Sequence, residues 1–228
     1  MRSILVSALL ALPLLAQQRG GPPAVVSPEV HADRTVTFRV RAPKATDVSL
    51  NVDWQDVAQK LTKDAEGVWS ITVGPLEPTT YIYSFNVDGI AMADPVNPRI
   101  KLRARGSGSL VDVPGSTSAL WDFREVPHGE VNVNWHKSKV QNGALRSVWV
   151  YTPPGYDRDR KQKYPVLYLL HGSNDTPAGW TTVGNANFIL DNMIAEKTIQ
   201  PMIVVMPFGH AVPFGDRGAN NNAVFEKY

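Results

Sequence analysis

Length, composition and charge narrow the classes of protein to which this chain can belong. It has 228 residues, 43% hydrophobic and 19% charged, which suits a packed globular protein of one or two domains and excludes disordered, collagen-like and coiled-coil chains. The 23 Lys and Arg nearly balance the 21 Asp and Glu, so no basic field attracts nucleic acid and we expect no such partner. The sequence contains no cysteine, which excludes disulfides, thiolate metal sites and cysteine nucleophiles.

The amino terminus has the pattern of an export signal. Arg2 precedes an apolar run over residues 4–15, and Ala16 provides a small residue for cleavage, so residues 1–16 are predicted to be a secretory signal peptide. The run is shorter than the roughly 20 residues needed to span a bilayer. We therefore expect a secreted or periplasmic protein with no membrane partner, and a flexible Gly- and Pro-rich lead-in over residues 17–28.

The next part of the chain alternates apolar and polar residues in short segments. The segments cover residues 35–40, 47–52, 68–73 and 81–87. A period of two with turn residues between the segments is typical of antiparallel strands, so residues 29–113 are predicted to form an all-β sandwich. The polar, turn-rich stretch after Pro114 predicts a linker over residues 114–125.

The second half, residues 126–228, has a different pattern. After two strand-like segments at 130–135 and 146–152, continuous apolar runs at 166–170 and 202–206 predict strands buried on both faces of a mostly parallel sheet. Between these runs, Asn185 is predicted to cap a helix over residues 186–197. Its apolar residues recur at three- and four-residue spacing, while Asp191, Asn192 and Glu196 are predicted to face away from the core. Strand, helix and strand predict a β-α-β unit with a right-handed crossover.

The candidate chemistry lies directly after the first of these apolar runs. His171, Gly172 and Ser173 follow it, at the end of the strand where open α/β sheets bind ligands. A Gly-containing turn there can direct backbone N–H groups at an oxyanion. The alternative is that His-Gly only forms a tight turn between strand and loop.

The remaining titratable residues show no site pattern. The histidines and carboxylates concerned are His128, His136, His210, Asp175 and Asp216. The histidines lack the spacing of metal ligands, so we expect no metal site. The two carboxylates are isolated in sequence, so they predict no acid/base pair.

Five motifs of the second half occur in a specific order. They are SVWVYTPPGY (147–156), YPVLYLLHG (164–172), Trp180, NMIAE (192–196) and PMIVVMP (201–207). Together they resemble the first half of the putative-esterase family of α/β-hydrolases, which includes bacterial feruloyl esterase modules and is similar to the mycobacterial mycolyltransferases. The resemblance implies that Ser173 supplies one oxyanion N–H, that Gly172 permits the turn, that Trp180 lies on the substrate side, and that no cofactor is needed.

The sequence departs from that family at the nucleophile. The family carries its serine on a G-x-S-x-G elbow after the next strand, whereas this sequence has no such motif and no serine after Ser173. Ser173 itself lacks the elbow, and His171 is expected to be a turn histidine rather than a general base. The resemblance therefore implies a truncated α/β-hydrolase domain whose nucleophile, acid and base lie beyond Tyr228, so that the chain alone is expected to be inactive.

The first half also carries family motifs. They are VSL (48–50), Trp54, GVW (67–69), YIYSF (81–85), VDG (87–89) and DPVNP (94–98). They resemble the early-set immunoglobulin-like domain at the amino terminus of glycogen-branching and debranching enzymes, which is related to glycogen-binding modules. Trp69 is expected in the core. Trp54 lies on a predicted loop, where it is either a substrate-binding surface residue that stacks on sugar rings or a packing residue.

The function predicted from these features is that of an exported serine carboxylic-ester hydrolase. Its expected partner is a carbohydrate ester or a small acyl ester, such as an acyl or feruloyl ester of polysaccharide. One alternative is a non-catalytic carbohydrate-binding protein of the early-set class. The other is a gene fragment without a function of its own.

Overall fold

The computed structural model describes residues 23–103, 106–115, 119–156 and 161–210. The predicted signal peptide and Asp216 lie outside the described residues. Within them the chain forms fourteen strands and two helices, and the strands make three sheets. No described helix is long and apolar enough to cross a membrane.

The first two sheets contain the amino-terminal strands, all paired antiparallel. The first sheet comprises β1 (Glu29–Val30), β2 (Val36–Arg41), β5 (Thr62–Lys63) and β6 (Val68–Val73), in the order β1-β2-β6-β5. The second comprises β3 (Val48–Val52), β4 (Gln55–Lys60), β7 (Thr79–Val87), β8 (Ile90–Met92), β9 (Ile100–Leu102) and β10 (Ser107–Val113), in the order β4-β3-β7-β10-β9 with β8 beside β7. The four predicted strands are present, and β4, β9 and β10 are among those that the alternation did not indicate.

One hydrophobic core joins the two sheets. Phe38 from the first sheet and Leu50 and Phe85 from the second are completely buried in it, because alternate residues of each strand point inward. Trp69 is also buried there, and its Nε1–H donates to the carbonyl oxygen of Ala42 at 3.0 Å, which confirms its predicted core position. The resemblance to early-set immunoglobulin-like domains stays a prediction.

A buried carboxylate joins three segments of this part of the fold. Asp94 accepts hydrogen bonds from the hydroxyls of Ser27 (2.6 Å) and Tyr83 (2.7 Å), and its own N–H donates to Ser109 Oγ at 2.8 Å. Asn97 Nδ2 donates to the Tyr83 hydroxyl at 3.0 Å. Ser27 belongs to the predicted flexible lead-in, yet it is buried and fixed to the domain by this network.

The third sheet and the helices come from the second half of the chain. The sheet comprises β11 (Glu130–Lys137), β12 (Leu145–Thr152), β13 (Val166–Tyr168) and β14 (Ile203–Pro207), in the order β11-β12-β14-β13. The helices α1 (Gly179–Thr182) and α2 (Ala186–Ala195) lie between β13 and β14 in the chain. β13 and β14 are parallel, so the predicted β-α-β order is confirmed and the carboxyl ends of both strands meet at one edge of the sheet.

Residues 166–170 were predicted to form a strand buried on both faces, and this prediction is wrong about both the length of the strand and its burial. The strand ends at Tyr168, and among the described strands it lies at the edge of the sheet. Val166, Leu167 and Tyr168 are 49%, 42% and 66% exposed, because β14 is the partner of β13 among the described strands. An apolar run thus marked a strand correctly but not its burial.

Three predictions about α2 also need correction. Asn185 precedes the helix as expected, but its backbone is left-handed (φ 48°, ψ 31°) and its side chain makes no capping hydrogen bond. Asp191 and Asn192, predicted to face away from the core, are each only 1% exposed. Both side chains find hydrogen-bond partners in earlier segments: Asp191 accepts from donors in residues 128–151, and Asn192 Nδ2 donates to the carbonyl oxygens of Leu120 and Asp122. The helix ends at Ala195, two residues before the predicted end.

Candidate functional site

The predicted oxyanion turn, residues 171–175, begins three residues after the end of β13. Leu169 N–H still donates to Val205 of β14 at 2.9 Å, so the chain enters the turn held to the sheet. The turn closes through a hydrogen bond from Asp175 N–H to the carbonyl oxygen of Gly172 at 3.0 Å. Gly172 and Ser173 are both exposed. The structure therefore places the candidate residues on an accessible turn at the carboxyl edge of the parallel strands.

The peptide group between Gly172 and Ser173 is fixed from its carbonyl side. The Gly172 carbonyl oxygen accepts from Asp175 N–H and from His171 Nδ1 at 2.8 Å. In a planar trans peptide the following N–H points opposite to the carbonyl, so these two bonds also fix the direction of the Ser173 N–H. Nothing among the described residues accepts a hydrogen bond from that N–H. A donor that is oriented in advance and left unpaired has the property that oxyanion stabilisation requires.

His171 is held by both of its ring nitrogens. Gly209 N–H donates to Nε2 at 2.9 Å, so Nε2 carries no proton and Nδ1 is the nitrogen that donates to Gly172. Gly209 follows the end of β14, so the imidazole connects the carboxyl ends of both parallel strands. With both nitrogens engaged, His171 acts as a turn residue, which agrees with the role predicted for it.

Two residues that looked isolated in the sequence pack beside this turn. The His210 ring lies 4.7 Å from the His171 ring, centroid to centroid, and His210 Nε2 is 2.8 Å from the Asp175 carbonyl oxygen. The Asp175 carboxylate pairs with Lys101 Nζ at 2.8 Å. Burial works to raise the pKa of Asp175, but the hydrogen bonds from Lys101 and the Thr176 N–H outweigh burial and lower it. Sequence reasoning missed Lys101, because it lies on β9 in the other half of the chain.

The two predicted substrate-binding tryptophans lie in different parts of the molecule. Trp180 is on α1 and packs against the small core that contains Tyr151 and Met206, and its buried Nε1–H has no hydrogen-bond partner among the residues that the structure describes. Trp54 lies in the turn between β3 and β4, and its ring packs edge-on against Tyr81 with centroids 4.7 Å apart. They belong to separate cores, so the structure brings Trp180, and not Trp54, to the half of the molecule that contains the turn.

A second buried carboxylate, Asp191 of α2, binds three donors. It accepts from the Tyr151 hydroxyl (2.7 Å), from Gly129 N–H (2.9 Å) and from His128 Nδ1 (2.8 Å). Burial, followed by the hydrogen bond to Asp191 and its charge, raises the pKa of Tyr151 well above its usual value. The cluster ties α2 to β12 and to the segment before β11, so its role is structural.

No metal site is evident in the part of the chain that the structure describes. No three His, Asp or Glu residues there are grouped so that they could hold an ion.

Comparisons with known proteins relate the carboxyl-terminal part of the chain to an esterase family. Residues 140–228 match the model of a family described as Putative esterase. The chain is 33% identical over 211 residues to the endo-1,4-beta-xylanase/feruloyl esterase of Xylanibacter ruminicola, a match that covers 88% of this chain and 28% of that protein. The chain thus spans less than a third of the length of this curated relative.

Solved structures show the same fold at lower sequence identity. The enterochelin esterase of Shigella flexneri is similar with a TM-score of 0.58 and 17% identity, covering 86% of this chain and 56% of that one. The ferric enterobactin esterase of Salmonella typhimurium is similar with a TM-score of 0.53 and 16% identity, covering 85% and 56%. At these identities the likeness concerns the fold alone.

Proposed function

We propose that this chain is part of a serine carboxylic-ester hydrolase in which the Ser173 backbone N–H binds the oxyanion of the tetrahedral intermediate. The observation that carries the proposal is the Gly172–Ser173 peptide, whose carbonyl accepts two hydrogen bonds while its N–H has no partner among the described residues. The match of residues 140–228 to the esterase family supports the same assignment.

The chemistry follows from this donor. A serine hydroxyl loses its proton to a histidine and attacks the ester carbonyl, which leaves a negative charge on the carbonyl oxygen. Ser173 N–H and a second backbone N–H, next to the nucleophile, stabilise that oxygen. As the intermediate collapses to an acyl-enzyme, the histidine gives its proton to the leaving alcohol. Water then loses a proton to the histidine and attacks the acyl-enzyme, and the proton returns to the serine as the acid is released. No cofactor takes part.

The proposal places the nucleophile outside residues 1–228. Ser173 is a poor candidate because His171 uses both ring nitrogens on Gly172 and Gly209, and His210 Nε2 is engaged with the Asp175 carbonyl. Neither imidazole is therefore free to take a proton from the Ser173 hydroxyl. In the proposed enzyme the serine, acid and histidine lie beyond Tyr228.

The proposed substrate is an acyl or feruloyl ester of polysaccharide, and the proposed location is outside the cytoplasm. The name of the Xylanibacter relative, which joins xylanase and feruloyl esterase, supports the substrate class. The signal-like pattern over residues 1–16 supports export. The amino-terminal sheets would then be an early-set immunoglobulin-like domain that accompanies the hydrolase.

Hydrolysis assays test the proposal. The 228-residue chain and the longer product of the same reading frame are each incubated with methyl ferulate and p-nitrophenyl acetate. We expect turnover by the longer form only, and labelling of that form by a serine-reactive phosphonate. Turnover by the 228-residue chain that disappears in Ser173→Ala would contradict the assignment. Polysaccharide binding without hydrolysis by either form would favour the alternative, a non-catalytic carbohydrate-binding protein.

A further inference from the structure

One ion pair connects the two halves of the molecule at the oxyanion turn. Lys101 lies on β9 of the second sheet, and its Nζ is 2.8 Å from Asp175 Oδ2. The Lys101 side chain is 13% exposed and that of Asp175 is 26% exposed, the lowest values for either partner among the described pairs that involve Lys or Arg. Because salt screens such a sheltered pair less than a surface pair, it can hold its partners in place.

Asp175 passes this restraint to the peptide that bears the donor. Its carboxylate binds Lys101 through Oδ2 and the Thr176 N–H through Oδ1, at 2.8 Å. Its backbone N–H donates to the Gly172 carbonyl, one of the two bonds that fix the direction of the Ser173 N–H. A shift of Asp175 would therefore rotate the 172–173 peptide away from its direction.

Two further contacts hold the turn, and both come from the chain after β14. His171 and His210 attach residues 171–175 to the chain after β14, through Gly209 N–H and the Asp175 carbonyl. These contacts lie within the esterase-like half of the chain. Lys101 contributes the contact from the amino-terminal sheets, so the direction of the donor depends on both halves.

We infer that Lys101 is a positioning residue for the oxyanion donor: through Asp175, the amino-terminal sheets set the direction of the Ser173 N–H. The consequence for catalysis rests on the proposed function, whereas the effect on the turn does not. On this account the amino-terminal domain is not a separate binding module but a part of the active-site framework.

The first arm of the test needs no activity. In the 228-residue chain, NMR hydrogen exchange measures the protection of the Asp175 amide, whose hydrogen bond to Gly172 fixes the peptide. We expect Lys101→Met to lower this protection by about tenfold, as expected for local opening of a restrained turn, and Lys101→Arg to retain most of it. Lys60→Met is the matched control, because Lys60 pairs with Asp47 on the same half of the chain but both side chains are exposed. It should leave the Asp175 amide unchanged.

The second arm uses the longer form that carries the nucleophile. Lys101→Met should lower kcat about tenfold while KM changes little, a smaller loss than the ~10²–10³ that follows removal of an oxyanion donor, and Lys101→Arg should restore kcat. Unchanged Asp175 protection in Lys101→Met would overturn the inference, as would unchanged kcat in an active enzyme. A wild-type longer form without activity, combined with the expected loss of protection, would instead contradict the proposed function and leave the positioning contact intact.

Discussion

Replacing Asp191 tests how much one buried carboxylate contributes to the stability of the second half of the chain. Asp191→Ala removes the acceptor for Tyr151, Gly129 and His128. Tyr151 is buried, so its hydroxyl is left without a partner, and a buried unsatisfied donor costs about 1–3 kcal/mol. The Gly129 N–H adds a similar cost, whereas the partly exposed His128 can bind water. We expect a loss of about 4 kcal/mol, the sum of these two costs.

Asp191→Asn should lower the free energy of unfolding much less, because an amide can replace the contacts at both carboxylate oxygens. Its oxygen can still accept from Tyr151 and Gly129, and its NH₂ group can donate to His128 Nδ1 while His128 Nε2–H continues to donate to the Arg124 carbonyl, a contact of 3.0 Å. The hydrogen bonds lose their ionic character, which roughly halves their strength. We expect a loss of about 1–2 kcal/mol.

Two measurements test these expectations. Urea denaturation gives the free energy of unfolding of each variant, and hydrogen exchange gives the protection of the amides of α2. Asp56→Ala, at an exposed position of β4, is the control and should change stability by less than about 0.5 kcal/mol. Equal losses for Asp191→Ala and Asp191→Asn would refute the reasoning about donors and acceptors. A loss for Asp191→Ala no larger than that of the control would show that the carboxylate does not hold the helix.

Three further outcomes follow from the structure. Tyr83→Phe removes one donor to the buried Asp94 and should lower the free energy of unfolding of the amino-terminal part by about 1–3 kcal/mol, measured by urea titration; no change would contradict the Asp94 network. Tyr168→Lys places a charge on the exposed apolar edge strand β13 and should reduce self-association of the 228-residue chain in light scattering; unchanged association would mean that another surface mediates it. The Lys101–Asp175 pair lowers the pKa of Asp175 below its usual 3.8, so it stabilises the fold above that pH and is lost as pH falls through the lowered value. The destabilisation by Lys101→Met should therefore shrink on acidification below the usual pKa, and an effect that is constant with pH would argue against an ionic contact.

The structural features that could be predicted from the sequence are those determined by residues close together along the chain. Alternation identified β2 because Val36, Phe38 and Val40 all point into one core. The turn that contains Ser173 was found for the same reason, since an apolar run followed by His-Gly is a local pattern. In each case the residues that carry the signal also make the structure.

Features that depend on distant partners could not be predicted in this way. Helical periodicity placed Asp191 on the outer face, but its donors Tyr151 and His128 lie 40 and 63 residues away, and no local pattern shows that they satisfy a buried charge. Lys101 was missed because its partner Asp175 lies in a turn 74 residues further along the chain. Tyr168 was expected to be buried because it lies in a continuous apolar run. The run indicates a strand, but it does not show where the strand lies in the sheet, and among the described strands β13 is at the edge.

The most direct test of the central claim compares two substitutions at Ser173 in the form of the protein that carries the nucleophile. Ser173→Pro deletes the backbone N–H, and the preceding Gly172 has no Cβ to clash with the proline ring. Ser173→Ala removes the hydroxyl and keeps the N–H. If the N–H binds the oxyanion, kcat for ester hydrolysis should fall about 10²–10³-fold in the proline variant and far less in the alanine variant, with both variants folded by circular dichroism. Equal kcat in the two variants would contradict the assignment of this turn to the oxyanion hole.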